Sequence, residues 1–239
     1  MIRMEVPRVD NGKIPNELFN ANLLFWLPAD SPYGNFQLKL HKLSERIDEL
    51  NRKINEGFGL WTQCRSNPMV LPGHFQRHVY AIEYCVYLMR RVADEMIALV
   101  HCLAVFEASG QYPTGIDVDE IGDLVKAQRE NSVAAAQVIS IFKSHLPALS
   151  TLNDIANAFK HSFINSDHTL MATEEPCIHA LHLKHNRLTS GPQFYNVRLA
   201  DSVRHFDRFY AEGMRWLRAY SERNSPPGAF GAVLQGNSV

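Results

Sequence analysis

The sequence predicts a mainly α-helical protein, a helical bundle of four to five helices with a small antiparallel β-sheet inserted before the last helix. Three observations carry this. A run from about Gln76 to Ala108 holds neither Gly nor Pro and keeps apolar residues at helical spacing. Two further stretches, 36–57 and 201–223, show the same amphipathic period. Between about 168 and 199 the period changes, and short β-rich runs flank a turn.

The elements follow in order. Residues 1–35 carry Pro7, Pro15, Pro28, Pro32 and Gly34 around an apolar patch of Leu18 and Leu23 to Leu27, which predicts an irregular segment docked on the body. From Phe36 to Gly57, Leu38, Leu43, Ile47, Leu50 and Ile54 form one stripe, and Asn55-Glu56-Gly57 reads as the stop. In the second helix Val79, Ile82, Val86, Met89, Val92, Met96, Leu99, Val100 and Leu103 keep the period. At about 1.5 Å per residue this helix spans about 50 Å. Ser109-Gly110 and Pro113-Thr114-Gly115 end it. A short helix over Val118 to Ala127, capped by Asp117, is expected next, then a third long helix over about Ser132 to His145. Pro147 interrupts, and Ser150 or Thr151 is placed to cap a further helix. His168 to Thr173, Cys177 to Leu183 and Phe194 to Leu199 read as strands around a turn at Asn186 to Gly191. The last helix covers Asp201 to Arg223, with Val203, Phe206, Phe209, Tyr210, Met214, Trp216, Leu217 and Tyr220 apolar. Domain organisation is read as one helical domain over 36–223 with a β-hairpin at about 168–199, and a mobile tail over 224–239.

Composition narrows the function classes. The chain has 239 residues, 46% hydrophobic and 21% charged, with a net charge of −1. No global basic field exists to attract nucleic acid, so such binding needs a local patch. No apolar run approaches the roughly 20 residues that cross a bilayer. Met1 to Asp10 lacks a basic region followed by an apolar run, so no secretory signal is expected. Cys64, Cys85, Cys102 and Cys177 form no CxxC pair, which predicts reduced thiols and a cytoplasmic setting.

The most informative stretch is Asn153-Asp154-Ile155-Ala156-Asn157-Ala158-Phe159-Lys160-His161. Asp154, Asn157 and His161 fall at i, i+3 and i+7 on one helical face, with Lys160 one step to the side. A carboxylate, an amide, an ammonium and an imidazole along one stripe form either a buried polar network or a reaction site. For the network reading, Arg90, Arg91, Asp94 and Glu95 on the second helix are the candidate partners.

The segment from Ala156 to His161 resembles the motif of the HEPN (higher eukaryotes and prokaryotes nucleotide-binding) superfamily of helical bundles. Active members carry Arg, then Asn, His or Asp, then a few residues and a His, near the start of a late helix. Asn157 matches the second position and His161 the last, while Ala156 stands where the Arg belongs. The spacing Asp-x-x-Asn-x-x-Lys-His is also similar to uncharacterised bacterial proteins placed near this superfamily. The resemblance implies a homodimer, RNA or nucleotide as ligand, and a bacterial defence or toxin–antitoxin setting with a partner protein. Without the Arg, it implies a non-catalytic interaction or RNA-binding module. The alternative is a metal-independent ribonuclease with His161 as acid–base residue, Asn157 as orienter and Lys160 as phosphate partner.

Other constellations point elsewhere. His74 and His78 at i, i+4 lack an accompanying acid and read as a surface face near a helix start. On a strand, His179 and His185 face one side and His182 the other, so the three do not converge on a metal. Neither a metal nor a cofactor is expected. Arg198, Arg204, Arg208, Arg215, Arg218 and Arg223 interleave with aromatics near the last helix, a pattern that acidic neighbours mark as a solvated helix face.

Overall fold

Helix α2, Pro72–Ser109, is the longest element, and its Gly-free interior from Val79 onward turns Ile82, Cys85, Val86, Met89, Val92 and Met96 inward to full burial. The computed structural model describes residues 5–12, 20, 23–66, 72–133, 135–161, 173–183, 187, 189 and 191–229. Around α2 in sequence stand α1 (Phe36–Ser66), α3 (Ile121–Arg129), α4 (Ala136–Phe142), a 3-10 turn (Lys143–His145), α5 (Leu146–His161), strands β1 (Cys177–His182) and β2 (Gln193–Arg198), and α6 (Leu199–Asn224). The chain is mainly helical, with one two-stranded antiparallel sheet directly before its last helix. Among the described residues no helix is long and apolar enough to cross a membrane.

The chain divides into two compact units. One comprises Met1–Val9, Asp48–Arg91 and His145–Asp207, the other Asp10–Ile47, Val92–Ser144 and Arg208–Val239. Helices α1, α2 and α6 each contribute a stretch to both.

In the first unit α5 packs on β1, and β1 pairs with β2 in the register Cys177↔Arg198 to His182↔Gln193. Leu149, Leu152, Ile155 and Ala158 of α5 and Ile178 and Ala180 of β1 are buried. Removing such side chains from water contributes about 1.5–3 kcal/mol for each large one. Helix α1 runs on to Ser66, past the expected stop at Gly57. The reason is local. A Cβ on Gly57 would lie 3.2 Å from Ile82 Cδ1, so this glycine lets α2 close on α1 and does not end the helix. His78 of α2 then reaches the Gly57 carbonyl, Nδ1 to O 2.9 Å.

In the second unit the lead segment is held by Gln37 of α1. Its Oε1 accepts from the Leu27 N–H at 3.1 Å and its Nε2 donates to the Leu23 carbonyl at 3.2 Å. Leu23, Phe25 and Leu27 are buried. Phe142 and Phe209 meet with ring centroids 4.9 Å apart. A Cβ on Gly213 of α6 would fall 2.7 Å from Met96 Sδ, so α6 comes against α2 only because residue 213 has no side chain.

Several boundaries depart from expectation. Helix α3 starts at Ile121, not Val118, and Asp117 does not cap it: Asp94 Oδ1 of α2 accepts the Ile121 N–H at 3.0 Å. It ends at Arg129, and Asn131, just past the cap residue Glu130, has a φ of 51°, the left-handed conformation common after a helix. The expected long helix over 132–145 is only Ala136–Phe142, followed by the 3-10 turn. Pro147 has no N–H to give to the carbonyl four residues back, so it sits in the first turn of α5, where none is needed. Ser150 and Thr151 are therefore inside α5, and Thr151 Oγ1 donates to the Pro147 carbonyl at 3.2 Å. Thr173 lies in a bend, not a strand, and residues 168–172 of the expected strand, residues 186, 188 and 190 of the expected turn and residues 230–239 of the tail lie outside the described residues.

Candidate functional site

The polar stretch is helical throughout, as the last nine residues of α5. Its apolar positions explain why. Leu152, Ile155 and Ala158 fill one buried face, which rotates Asp154 and Asn157 to a half-buried margin and leaves Lys160 and His161 exposed in the last turn. Ala156 is buried at 9% exposure, so the residue at the motif's Arg position belongs to the core.

Two of the half-buried polar groups, Asp154 and Asn157, have partners on other elements. Asp154 Oδ2 accepts from Tyr195 Oη of β2 at 2.9 Å. Burial, then the Asp154 carboxylate, pushes the Tyr195 phenol well above its usual range, so the hydroxyl stays a donor. Asn157 Oδ1 accepts from Arg90 Nη1 of α2 at 2.7 Å. Asp154 thus ties α5 to the sheet, and Asn157 ties it to α2. One turn before Asn157, Asn153 Oδ1 is buried with no hydrogen-bond partner among the described residues.

The predicted site residues therefore separate into groups. Arg90 comes to the stripe. Arg91 is exposed on α2. Asp94 caps α3, and Glu95 pairs with Arg46 of α1. Lys160 and His161 lie where positive charge complements the carbonyl end of a helix. The structure brings together Asn157 with Arg90 and Asp154 with Tyr195. Tyr195 was missed by sequence reasoning; its signal is a lone phenol in a short strand beside the acid-bearing helix.

The histidines read differently from their spacing. His78 is not a surface residue but 3% exposed, with its Nδ1 on the Gly57 carbonyl. His179 is 7% exposed, stacked on Phe194 at 6.3 Å between centroids and cross-strand from Asn196. Burial lowers both imidazoles below their ordinary value. His182 and His74 are half-buried, and His185 lies outside the described residues. Among the described residues no three His, Cys, Asp or Glu side chains converge as a metal site.

The basic residues around α6 are largely engaged in ion pairs. Arg198 pairs with Glu175 at 3.1 Å, Arg204 with Asp201 at 2.9 Å, Arg215 with Glu212, and Arg223 with Glu107 at 2.8 Å. Arg218 lies over the Phe25 ring, 5.5 Å from its centroid. The aromatic residues Phe206, Phe209, Tyr210 and Tyr220 are buried. A second surface has no counterpart in the sequence reading: Tyr80, Tyr84 and Tyr87 of α2 are 59%, 41% and 57% exposed. Its signal is the i, i+4, i+7 spacing, offset from the buried stripe through Ile82, Val86 and Met89.

Compared with protein-family models, curated proteins and solved structures, the chain matches none.

Proposed function

We propose that this chain is an HEPN-like helical protein of bacterial type that works as a non-catalytic interaction module, with RNA or nucleotide as its ligand. The observation that carries this reading is the 2.7 Å hydrogen bond from Arg90 to Asn157. It engages the amide at the motif's second position in holding α5 to α2, while the acid beside it holds Tyr195. At the end of α5 stand one ammonium and one imidazole, Lys160 and His161, both exposed. Metal-independent RNA cleavage needs a base for the 2′-hydroxyl, an acid for the leaving oxygen and cations on the phosphorane. One subunit does not hold that set in a free state. A partner protein or a second copy completes the proposed setting. A reducing, cytoplasmic compartment fits the free thiols, with Cys85 pushed up to about 12 and Cys102 to about 11 by burial.

The same bond also supports a second reading. Arg90 brings from α2 the guanidinium that position 156 lacks, so a homodimer with two copies of His161 would be a ribonuclease of toxin or defence type. An RNA cleavage assay in EDTA separates the two. The module reading expects no cleavage by the wild-type chain. Cleavage that His161→Ala abolishes, with the melting temperature unchanged, overturns it in favour of the ribonuclease.

A further inference from the structure

Between residues 76 and 91 the exposed positions of α2 are Gln76, Arg77, Tyr80, Tyr84, Tyr87 and Arg91. They form one continuous stripe at helical spacing. A solvated helix face is ordinarily built from Lys, Glu and Gln. This one presents three phenol rings together, which differs from single apolar residues scattered on a surface. The Tyr84 and Tyr87 rings are nearly parallel, 11° apart with centroids 5.8 Å apart. Lys53 of α1 sets its ammonium 5.8 Å from the Tyr84 ring centroid. Arg77 and Arg91 bracket the tyrosines, about 21 Å apart along the axis at about 1.5 Å per residue.

The charge of the face is as informative as its rings. None of the six exposed residues is acidic. Glu56 beside it is half-buried and shared between Lys53 at 2.8 Å and Arg77 at 3.5 Å, so these two cations outweigh the one carboxylate they share. Glu83, at the margin of the stripe, is half-buried, and burial raises its carboxyl above the usual range. An occupant that suits flat rings bracketed by cations has flat faces of its own and a chain of negative charge.

We propose that this face binds single-stranded RNA, with bases stacked on Tyr80, Tyr84 and Tyr87 and phosphates paired with Arg77, Arg91 and Lys53. Stacking on aromatic side chains along a basic track is how single strands are held without base-specific readout. A duplex hides its base faces and offers nothing to the rings. RNA is preferred over DNA because phenol hydroxyls both donate to and accept from the 2′-hydroxyl. This inference rests on the reading above for its ligand class but uses none of the α5 residues: absence of RNA binding overturns both, whereas a triple Ala variant that binds as tightly as wild type overturns this one alone.

The test is fluorescence anisotropy of the full chain with a fluorescein-labelled single-stranded RNA of mixed sequence, about a dozen nucleotides long. Each of Tyr80→Ala, Tyr84→Ala and Tyr87→Ala weakens binding about five- to a hundredfold. These positions are exposed, so thermal melts of the variants stay near wild type. Replacing all three by Phe keeps the stacking and removes the preference for RNA over single-stranded DNA. Arg77→Ala and Arg91→Ala each lower the slope of log K against log salt by about 0.7. The proposal is overturned if the wild-type chain binds no RNA at low salt, or if the triple Ala variant binds as tightly as wild type. Equal affinity for duplex or for single-stranded DNA also overturns it. So does a wild-type dimer in sedimentation that the triple Ala variant dissolves, which assigns the face to a second copy.

Discussion

Arg90 of α2 donates from Nη1 to Asn157 Oδ1 of α5 at 2.7 Å, so a guanidinium holds the amide of the most conspicuous polar stripe in the chain. A hydrogen bond to a charged group contributes about 1.5–3 kcal/mol when buried, and less at a half-buried margin. Three residues earlier, Asp154 holds Tyr195 in the same way. The stripe therefore divides along its length into an inner half that joins elements and an outer half, Lys160 and His161, that faces solvent.

That division predicts unequal responses to truncation. Tyr195→Phe removes a donor to a carboxylate and should cost about 1 kcal/mol in urea denaturation. Lys160→Ala and His161→Ala, at exposed positions, should each change stability by less than about 0.5 kcal/mol. Equal losses at all three sites would contradict the division.

Acid should destabilise the fold. His78, His101 and His179 are 3%, 3% and 7% exposed, and burial lowers each below the ordinary imidazole value. Below about pH 6.5 the unfolded chain takes up protons that the folded one resists. The stabilising contribution is thus present above that pH and lost as pH falls toward the folded-state values. The loss is at most about 1.4 kcal/mol per pH unit for each histidine. Melting temperatures between about pH 7.5 and 5.5 should fall, and His179→Phe should make the fall shallower. An unchanged slope in that variant would remove His179 from the account.

Helix α3 depends on a cap that is distant in sequence. Asp94 Oδ1 accepts the Ile121 N–H at 3.0 Å, so Asp94→Ala should cost about 1–2 kcal/mol, whereas Asp94→Asn keeps an acceptor and loses less. The comparison is made by thermal or urea unfolding.

Close approach at Gly213 gives a packing prediction. Its Cβ would stand 2.7 Å from Met96 Sδ, and Met96 is fully buried. Gly213→Val should cost about 2–3 kcal/mol, and Met96→Ala in the same chain should recover part of that loss. A neutral Gly213→Val would show that α6 shifts freely.

The helical architecture was legible wherever the period ran unbroken, as it did through α2. It was illegible where one residue served two possible ends. Gly57 looks like a helix stop in sequence, but in space it is a gap that admits Ile82. Asp117 looks like the cap of α3 because it is adjacent, while Asp94 does the capping because α2 passes nearby. At the site, helical spacing placed Asp154 and Asn157 correctly on α5, and the charges of α2 included the true partner, Arg90. It did not reveal that Asp94 and Glu95 serve other elements, or that Tyr195 arrives from a strand. The tyrosines of α2 escaped notice because aromatic residues in a long apolar helix are ordinarily core, and only their offset from Ile82, Val86 and Met89 shows otherwise.

The most direct test of the account is a double-mutant cycle on Arg90 and Asn157, read by urea denaturation. If the stripe is a clasp, Arg90→Ala and Asn157→Ala each destabilise, and the pair shows a coupling of about 1–2 kcal/mol. If both single variants keep wild-type stability and their effects simply add, the bond holds nothing, and the assignment of Asn157 to the fold is wrong.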